Sequence, residues 1–463
     1  MKFHSIFNSK IIFTVIFLCL FCFAPHSFAQ ADKMDSIGKQ QIMGMLQNVK
    51  KAIKSDYYDA NPQFGGMDLE TRFKAAEEKL RTTESLGQAF SIIAQTIVDL
   101  NDSHTMFYPP ARNAITEYGW RMRMYGDKAF ITAVKENSDA DKKGLRVGDE
   151  VLKVNGFRPA RKELWKMLYY YEILSPKTTM TFEVKSPGGE VRQLQVATRV
   201  TPLKKTINLS DTFDLSNAGR EGDADKGATT YFKEVGNDVL VWKLPTFSFD
   251  PKDVGGFVGK AKNKKALILD LRGNGGGAVP TLEEMIGYFF DHDLKISDLK
   301  GRKKLDPSQA KTKGANVFKE KLIVLIDSDS ASASEVFART MQLEKRAVIL
   351  GDLSAGAVMQ SRPHSFQMGV DKSFSYGMNL SMADVIMSDG KSLEHVGVVP
   401  DELILPTGQD LAERGDPVLA RALELSGQKV ESSVAGKFFP RDKFIEHVAN
   451  IAFYGNIYVT GEY

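Results

Sequence analysis

From about residue 238 onward the chain alternates short, almost wholly apolar runs with helical stretches, and this limits the fold more than any other feature. The runs read "DVLVWKL", "KALILDL", "KLIVLID" and "RAVILG", and between them lie "PTLEEMIGYFF" and "ASEVFARTMQ". A strand with one wet face alternates apolar and polar residues, whereas a run that is apolar throughout is buried on both faces. Helices between such strands are the crossovers that parallel pairing requires. The pattern predicts an α/β core, a mostly parallel sheet covered on both sides. Ligand sites in such sheets gather beyond the C-terminal ends of the strands. Two suggestive loops, "DLRGNGGGA" and "DSDSASASE", fall at such ends.

The chain has 463 residues, 43% hydrophobic and 26% charged, which is material for several domains with real cores. Lys2 and Lys10 precede the apolar run "IIFTVIFLCLFCFA", and "HSFAQA" places small residues for cleavage after Ala29, so residues 1–29 read as a secretory signal peptide. The run from Ile11 to Ala24 is short against the roughly 20 residues a bilayer span needs. No stable membrane span is expected after cleavage. Both cysteines, Cys19 and Cys22, lie in this segment, and Leu18 and Phe21 stand before them where a lipoprotein signal has a small residue. The mature chain therefore has no disulfide, thiolate metal site or cysteine nucleophile. Removing the two signal lysines takes the formal charge from +3 to +1, and no long basic block remains, so nucleic acid is not an expected partner.

Leu86, Phe90, Ile93, Ile97 and Leu100 recur at spacings of three and four, with Ser85 and Gln88 as a capping start, so the region before "NDSHTMFYPP" is helical. From Tyr118 to Thr198 short strands replace helices: "RMRMYG", "KAFITAV", "DEVLKVNG", "MTFEVK" and "VRQLQVAT", the last two joined by the turn "SPGGE". Within this stretch "DADKKGLRVGDEVLKVNGF", with Gly144, Gly148 and Asp149, resembles a PDZ domain, although "EYGWRMRM" is a poor match to the carboxylate-binding loop of that family. The polar stretch "SNAGREGDADKG" marks a junction. The expected organisation is a signal peptide over 1–29, an N-terminal helical region over 30–112, a β-rich PDZ-like insertion over 113–200, a linker over 201–228 and the core over 229–463.

A serine that follows a buried strand and opens a helix sits where amides and the helix dipole face developing negative charge. Ser328, Ser330, Ser332 and Ser334 all qualify by position. The structural alternative is a helix start: Ser332 with Glu335 forms S-x-x-E, and Ser334 is a fair N-cap. The glycine loop is equally two-sided. Gly273, Gly275 and Ala278 satisfy G-x-G-x-x-A, with Asp291 where a dinucleotide fingerprint has its ribose acid, so a dinucleotide-dependent oxidoreductase is one reading. The other is an oxyanion pocket from the amides of Gly275 and Gly276.

Taken together, "LILDLRGNGGGA", "VLIDSDSASASEVFA" and "LEHVGVVPD" around a PDZ-like insertion resemble the C-terminal processing (tail-specific) serine peptidases. The resemblance implies a core like the ClpP and crotonase folds. It also implies Ser332 as nucleophile, with Gly275 or Gly276 and the amide of Ala333 as the oxyanion site. Bacterial tail-specific members carry a basic lysine in "G-x-x-x-F-G-K-G", but this chain reads "GDLSAGAVMQ" there, with Ala357 after Gly356. The histidines after residue 29 are His104, His292, His364, His395 and His447. In the tricorn-like branch of the family the base is a histidine preceded by a serine, which "DSHT" matches as Ser103 and His104. A late glutamate completes that tetrad, and Glu394 matches it, with Asp401 and Glu402 nearby.

The expectation is an exported serine endopeptidase, periplasmic or secreted, acting on peptide or unfolded protein through an acyl-enzyme. The alternative is an inactive ligand- or peptide-binding protein on the same fold, in the manner of interphotoreceptor retinoid-binding protein. No cofactor is expected, since H-E-x-x-H and G-x-x-x-x-G-K-[ST] are both missing from the sequence. Nothing in the sequence fixes the oligomeric state.

Overall fold

The computed structural model describes residues 36–110, 114–202, 230–368 and 374–439. The expected signal peptide, most of the expected linker, and the chain beyond 439 with His447 lie outside the described residues. The core is a six-stranded sheet in the order Glu402–Leu403, Ala347–Gly351, Lys321–Ile326, Ala266–Asp270, Val239–Lys243, Tyr231–Val235. All neighbours are parallel except the last pair.

The apolar runs have a simple cause. Leu240, Trp242, Leu267, Leu269, Leu322 and Val324 point to one face, where the helices Val279–Gly287 and Ala333–Leu343 cover them. Their neighbours Val239, Val241, Ile268, Ile323 and Leu325 point to the other face and pack against the helix Pro417–Leu425. Alternation still operates, but both partners of each alternation are buried. The loops after Asp270 and Ile326 thus leave adjacent parallel strands at the same end and must lie side by side.

A second sheet brings the N-terminal region to this end. The strand Phe374–Met387 pairs along one edge with Met359–Met368, and its other edge is shared by Leu294–Gly301 and the short strand Met106–Tyr108. Met106–Tyr108 follows the helices Ser36–Asp56, Leu69–Thr82 and Leu86–Val98. Ser85 caps the last of these by accepting from the Gln88 amide, as its sequence predicts. Phe107 is buried with Leu46, Phe73, Ile93 and Tyr376, so helices and strand share one core. This core fixes where residues 102–104 are presented.

Residues 120–197 form a separate antiparallel sheet of five strands, Trp120–Tyr125, Lys128–Val134, Glu150–Val154, Thr179–Lys185 and Val191–Ala197, in that order. Its own core includes Met122, Ile131, Leu145, Val154, Phe182 and Val184. Its first strand is an edge strand, and that strand's end is tied to the core loops. Arg123 pairs with Asp327 at 2.7 Å and Asp329 at 2.6 Å, and Ser328 Oγ donates to the Met124 carbonyl at 2.7 Å. Arg161 reaches Asp352 beyond the neighbouring strand. Among the described residues no helix is long and apolar enough to cross a membrane.

Phe337 is fully buried on the helix Ala333–Leu343, against the rings of Phe247 and Phe289. Phe337→Ala is expected to lower unfolding free energy by about 3–5 kcal/mol in urea titration, whereas Val399→Ala, at a largely exposed position, changes it by less than about 0.5 kcal/mol.

Candidate active site

The four alternating serines have four different tasks. Ser328 holds the β-rich module, as above. Ser330 is buried and donates to the Leu271 carbonyl at 2.9 Å, pinning this loop to the end of the adjacent strand. Ser334 is buried and donates to the Asn274 carbonyl at 2.8 Å. Ser334 is therefore not a helix cap, contrary to one sequence reading; the helix begins at Ala333 and its N-cap is Ser332. Ser332 has φ +55° and ψ −119°, a conformation that a non-glycine residue adopts only when its surroundings impose it. Its amide donates to the Ala357 carbonyl at 2.8 Å and to Glu335 Oε2 at 3.1 Å. That turn leaves the hydroxyl facing His104.

The other half of the site comes from "NDSHT". Asp102 is buried and accepts from the amides of His104 (3.0 Å) and Thr105 (2.7 Å), from Ser381 Oγ (2.6 Å) and from the Tyr57 hydroxyl (2.9 Å). A carboxylate that takes two amides of its own loop folds that loop into a tight turn. The turn aims His104 inward, with Nε2 at 3.3 Å from Ser332 Oγ and Nδ1 at 2.8 Å from Ser103 Oγ. Ser103 donates its hydroxyl to Glu394 Oε2 at 2.8 Å and its amide to Oε1 at 2.7 Å, and the Val358 amide reaches Oε2 at 2.8 Å.

The tautomer follows from counting protons. Ser103 has one hydroxyl proton, and the carboxylate takes it, so His104 must donate from Nδ1 to Ser103 Oγ. Nε2 is then bare and can accept the proton of Ser332. Desolvation pushes the His104 imidazole down to about 4, opposed by the negative charge of Asp102, so the ring is neutral at pH 7. Burial raises Glu394 above the usual carboxylate range, while the amide of Val358 and the hydroxyl of Ser103 work in the opposite sense.

The glycine loop presses against Ser332 from the next strand. Gly276 has φ +98°, and a Cβ there would lie 2.7 Å from the Ser332 Cβ and 2.9 Å from the Ala333 amide. Its own amide is turned away and donates to Asn274 Oδ1 at 2.9 Å, so this amide is already engaged. Ala333 is the first residue of the helix, and its amide has no partner within the helix. Asn274, which the sequence reading passed over, is the hub of this contact. Its carbonyl takes the Ala331 amide and the Ser334 hydroxyl, and its Nδ2 donates to the Leu244 carbonyl. The clue was its placement in "RGNGGG" after a buried strand, where a short amide side chain can satisfy the loop's own backbone.

The structure thus brings Ser103, His104, Gly276, Ser332, Ala333 and Glu394 together, with Gly275 in the same loop. Asp401 and Glu402 do not join them: Asp401 accepts from the Ile349 amide, and Glu402 pairs with Arg421. His292 sits at the surface beside Asp291, and His364 stacks on Phe366. Asp291 is exposed and paired with that histidine, and Gly277 packs on the backbone of Phe247 and Ser248, so the dinucleotide reading loses both its acid and its open loop.

A family model described as Peptidase family S41 matches residues 238–404. The tail-specific protease of Haemophilus influenzae is 30% identical over 416 residues, which take in 83% of this chain and 55% of that protein. The core of the chain is that of peptidase family S41, a serine-type family. The chain is also similar to the carboxy-terminal processing protease CtpB of Bacillus subtilis, at 24% identity over 72% of this chain and 63% of that one. The chain therefore spans less than two thirds of the length of either relative. The crystal structure of mature CPAF matches with a TM-score of 0.61 at 16% identity, over 92% of this chain and 99% of that one, a likeness of fold. Ala357, which stands after Gly356 in the segment where the tail-specific pattern has its lysine, contributes only backbone: its N–H donates to Glu335 and its carbonyl accepts from Ser332.

Gly276→Ala puts a methyl group inside the contact radius of Ser332 at a φ that alanine adopts poorly. It is expected to slow labelling of Ser332 by a fluorophosphonate about 100-fold or more while circular dichroism stays native.

Proposed function

We propose that this S41 chain is an exported serine endopeptidase that cleaves peptide or unfolded protein segments through an acyl-enzyme on Ser332. The observation that carries this reading is the bare His104 Nε2 at 3.3 Å from the Ser332 hydroxyl, with its other nitrogen committed through Ser103 to Glu394. Ser332 Oγ attacks the scissile carbonyl as its proton passes to His104 Nε2. The oxyanion takes a hydrogen bond from the Ala333 amide, with Gly275 rather than Gly276 as the donor the glycine loop would add. His104 then gives its proton to the leaving amine, the C–N bond breaks, and the acyl-enzyme remains. Water repeats the attack, delivering a proton to His104, which returns it to Ser332 as the carboxylate leaves. Asp102 stabilises the transient imidazolium, since its charge favours the protonated ring.

The β-rich module over 113–200 is read as PDZ-like. Its first strand, Trp120–Tyr125, lies at the edge of its sheet, and strand addition at a sheet edge is the mode by which such modules hold extended peptides. Arg123 lies on that strand and grips the loop before Ser332, so peptide bound there is presented beside the nucleophile.

Wild type is expected to react with a fluorophosphonate at Ser332 and to degrade an unfolded protein, Ser332→Ala to do neither, and His104→Ala to lose on the order of 10⁴-fold in both. Equal labelling of all three would sink the assignment, and a wild type that binds the unfolded protein without reacting would favour the binding-protein alternative. The acid limb of kcat/KM is also diagnostic. The reactive form is the neutral imidazole, so activity is retained as pH falls through 6.5 and is lost as it falls through about 4. A limb above about pH 9 would instead indicate a lysine base.

A further inference from the structure

We propose that Glu335 is a positioning residue, which holds the Ser332 turn and the general-base group at the separation that lets the proton pass between them. The inference rests on the reading of Ser332 and His104 given above. By sequence Glu335 is the third residue of a helix, where a glutamate commonly reaches back to the N-cap amide from the surface. Here it is wholly buried and does far more than cap. Oε2 accepts from the amides of Ser332 (3.1 Å) and Ala357 (2.9 Å), and Oε1 accepts from the Gly356 amide (2.8 Å) and Ser354 Oγ (2.6 Å). Burying a carboxylate costs several kcal/mol unless its lone pairs are met, so a cap alone would not justify this location.

The partners tell what the carboxylate is for. Glu335 grips the amides of residues 356 and 357, and Glu394 grips the amide of residue 358. Two carboxylates, one from the nucleophile helix and one from the tetrad, therefore hold three consecutive amides of a single segment. Ser354 extends the link, since its Oγ also accepts from the Val398 amide at 2.6 Å, in the loop that carries Glu394. Gly356 has φ +69°, and a Cβ on it would come within 3.2 Å of the backbone at His395 and Gly397, so the segment is wedged between both halves of the site. Movement of Glu335 displaces Ser332 directly and Glu394 at one remove.

The test uses the full chain and three variants: Glu335→Gln, Ser354→Ala and Met341→Ala. Met341 is fully buried on the same helix but belongs to the core beneath it, so its truncation reports what helix destabilisation alone does. Thermal midpoint, the second-order rate of fluorophosphonate labelling, and kcat and KM on a peptide are read for each. Glu335→Gln is expected to lose about 10- to 100-fold in labelling rate and kcat with KM unchanged within about threefold. Met341→Ala is expected to melt lower yet label at close to the wild-type rate below its midpoint. Ser354→Ala, which leaves the glutamate in place and removes one donor, should show the same kcat-only loss at about three- to tenfold, and it decides the matter if Glu335→Gln does not fold. Wild-type kinetics in Glu335→Gln or in Ser354→Ala, or a loss in Met341→Ala that matches theirs, would overturn the inference. Failure of the wild type itself to label would remove the peptidase reading on which it stands.

Discussion

Everything at this site depends on keeping Ser332 in a backbone conformation it would not choose. A non-glycine residue at φ +55° is strained by about 1–3 kcal/mol, and such a residue persists only where neighbours over-determine it. The neighbours here act from three sides. The helix Ala333–Leu343 is bolted to a doubly buried sheet, Gly276 packs against the Ser332 Cβ, and the Ser332 amide is held by both Ala357 and Glu335. The reward is geometric, because the strained turn points a hydroxyl at the imidazole and a helix-terminal amide towards the same space.

The means of that control are electrostatic and repeat three times. Asp102, Glu335 and Glu394 are each withdrawn from water, and each spends its lone pairs on backbone amides and hydroxyls rather than on lysine or arginine. A carboxylate held by short, directional donors sets position more tightly than a flexible ion pair. Burial keeps His104 neutral, and the charge available to welcome its proton is the fixed one of Asp102. Arginines are kept for the outside of the arrangement, where Arg123 and Arg161 fasten the β-rich module to loops that leave the sheet.

The parts of this structure that follow from short-range pattern were readable from the chain. The runs around Val239, Leu267, Ile323 and Ile349 specify a sheet buried on both faces, and Ser85 and Gln88 start their helix where the sequence places it. The meeting of "DSHT" with "SASASE" was legible only through likeness to a family, since nothing local in either stretch refers to the other. Asn274 and the full reach of Glu335 were not legible. Both look like ordinary loop and cap residues, and their importance lies in which backbone amides end up beside them after the strands are in register. The engagement of the Gly276 amide with Asn274 is of the same kind, a consequence of loop packing that composition does not record.

The short strand Met106–Tyr108 pairs with residues 377–379 on Phe374–Met387, and this pairing helps to carry His104 to Ser332. A chain in the course of synthesis has its histidine and its serine long before it has that strand, or Glu394. Any partly made or still unfolded copy therefore lacks the contact between His104 and Ser332. Closing the last long strand of the second sheet is the step that completes this arrangement, so chain order delays its assembly until residue 394 has been made.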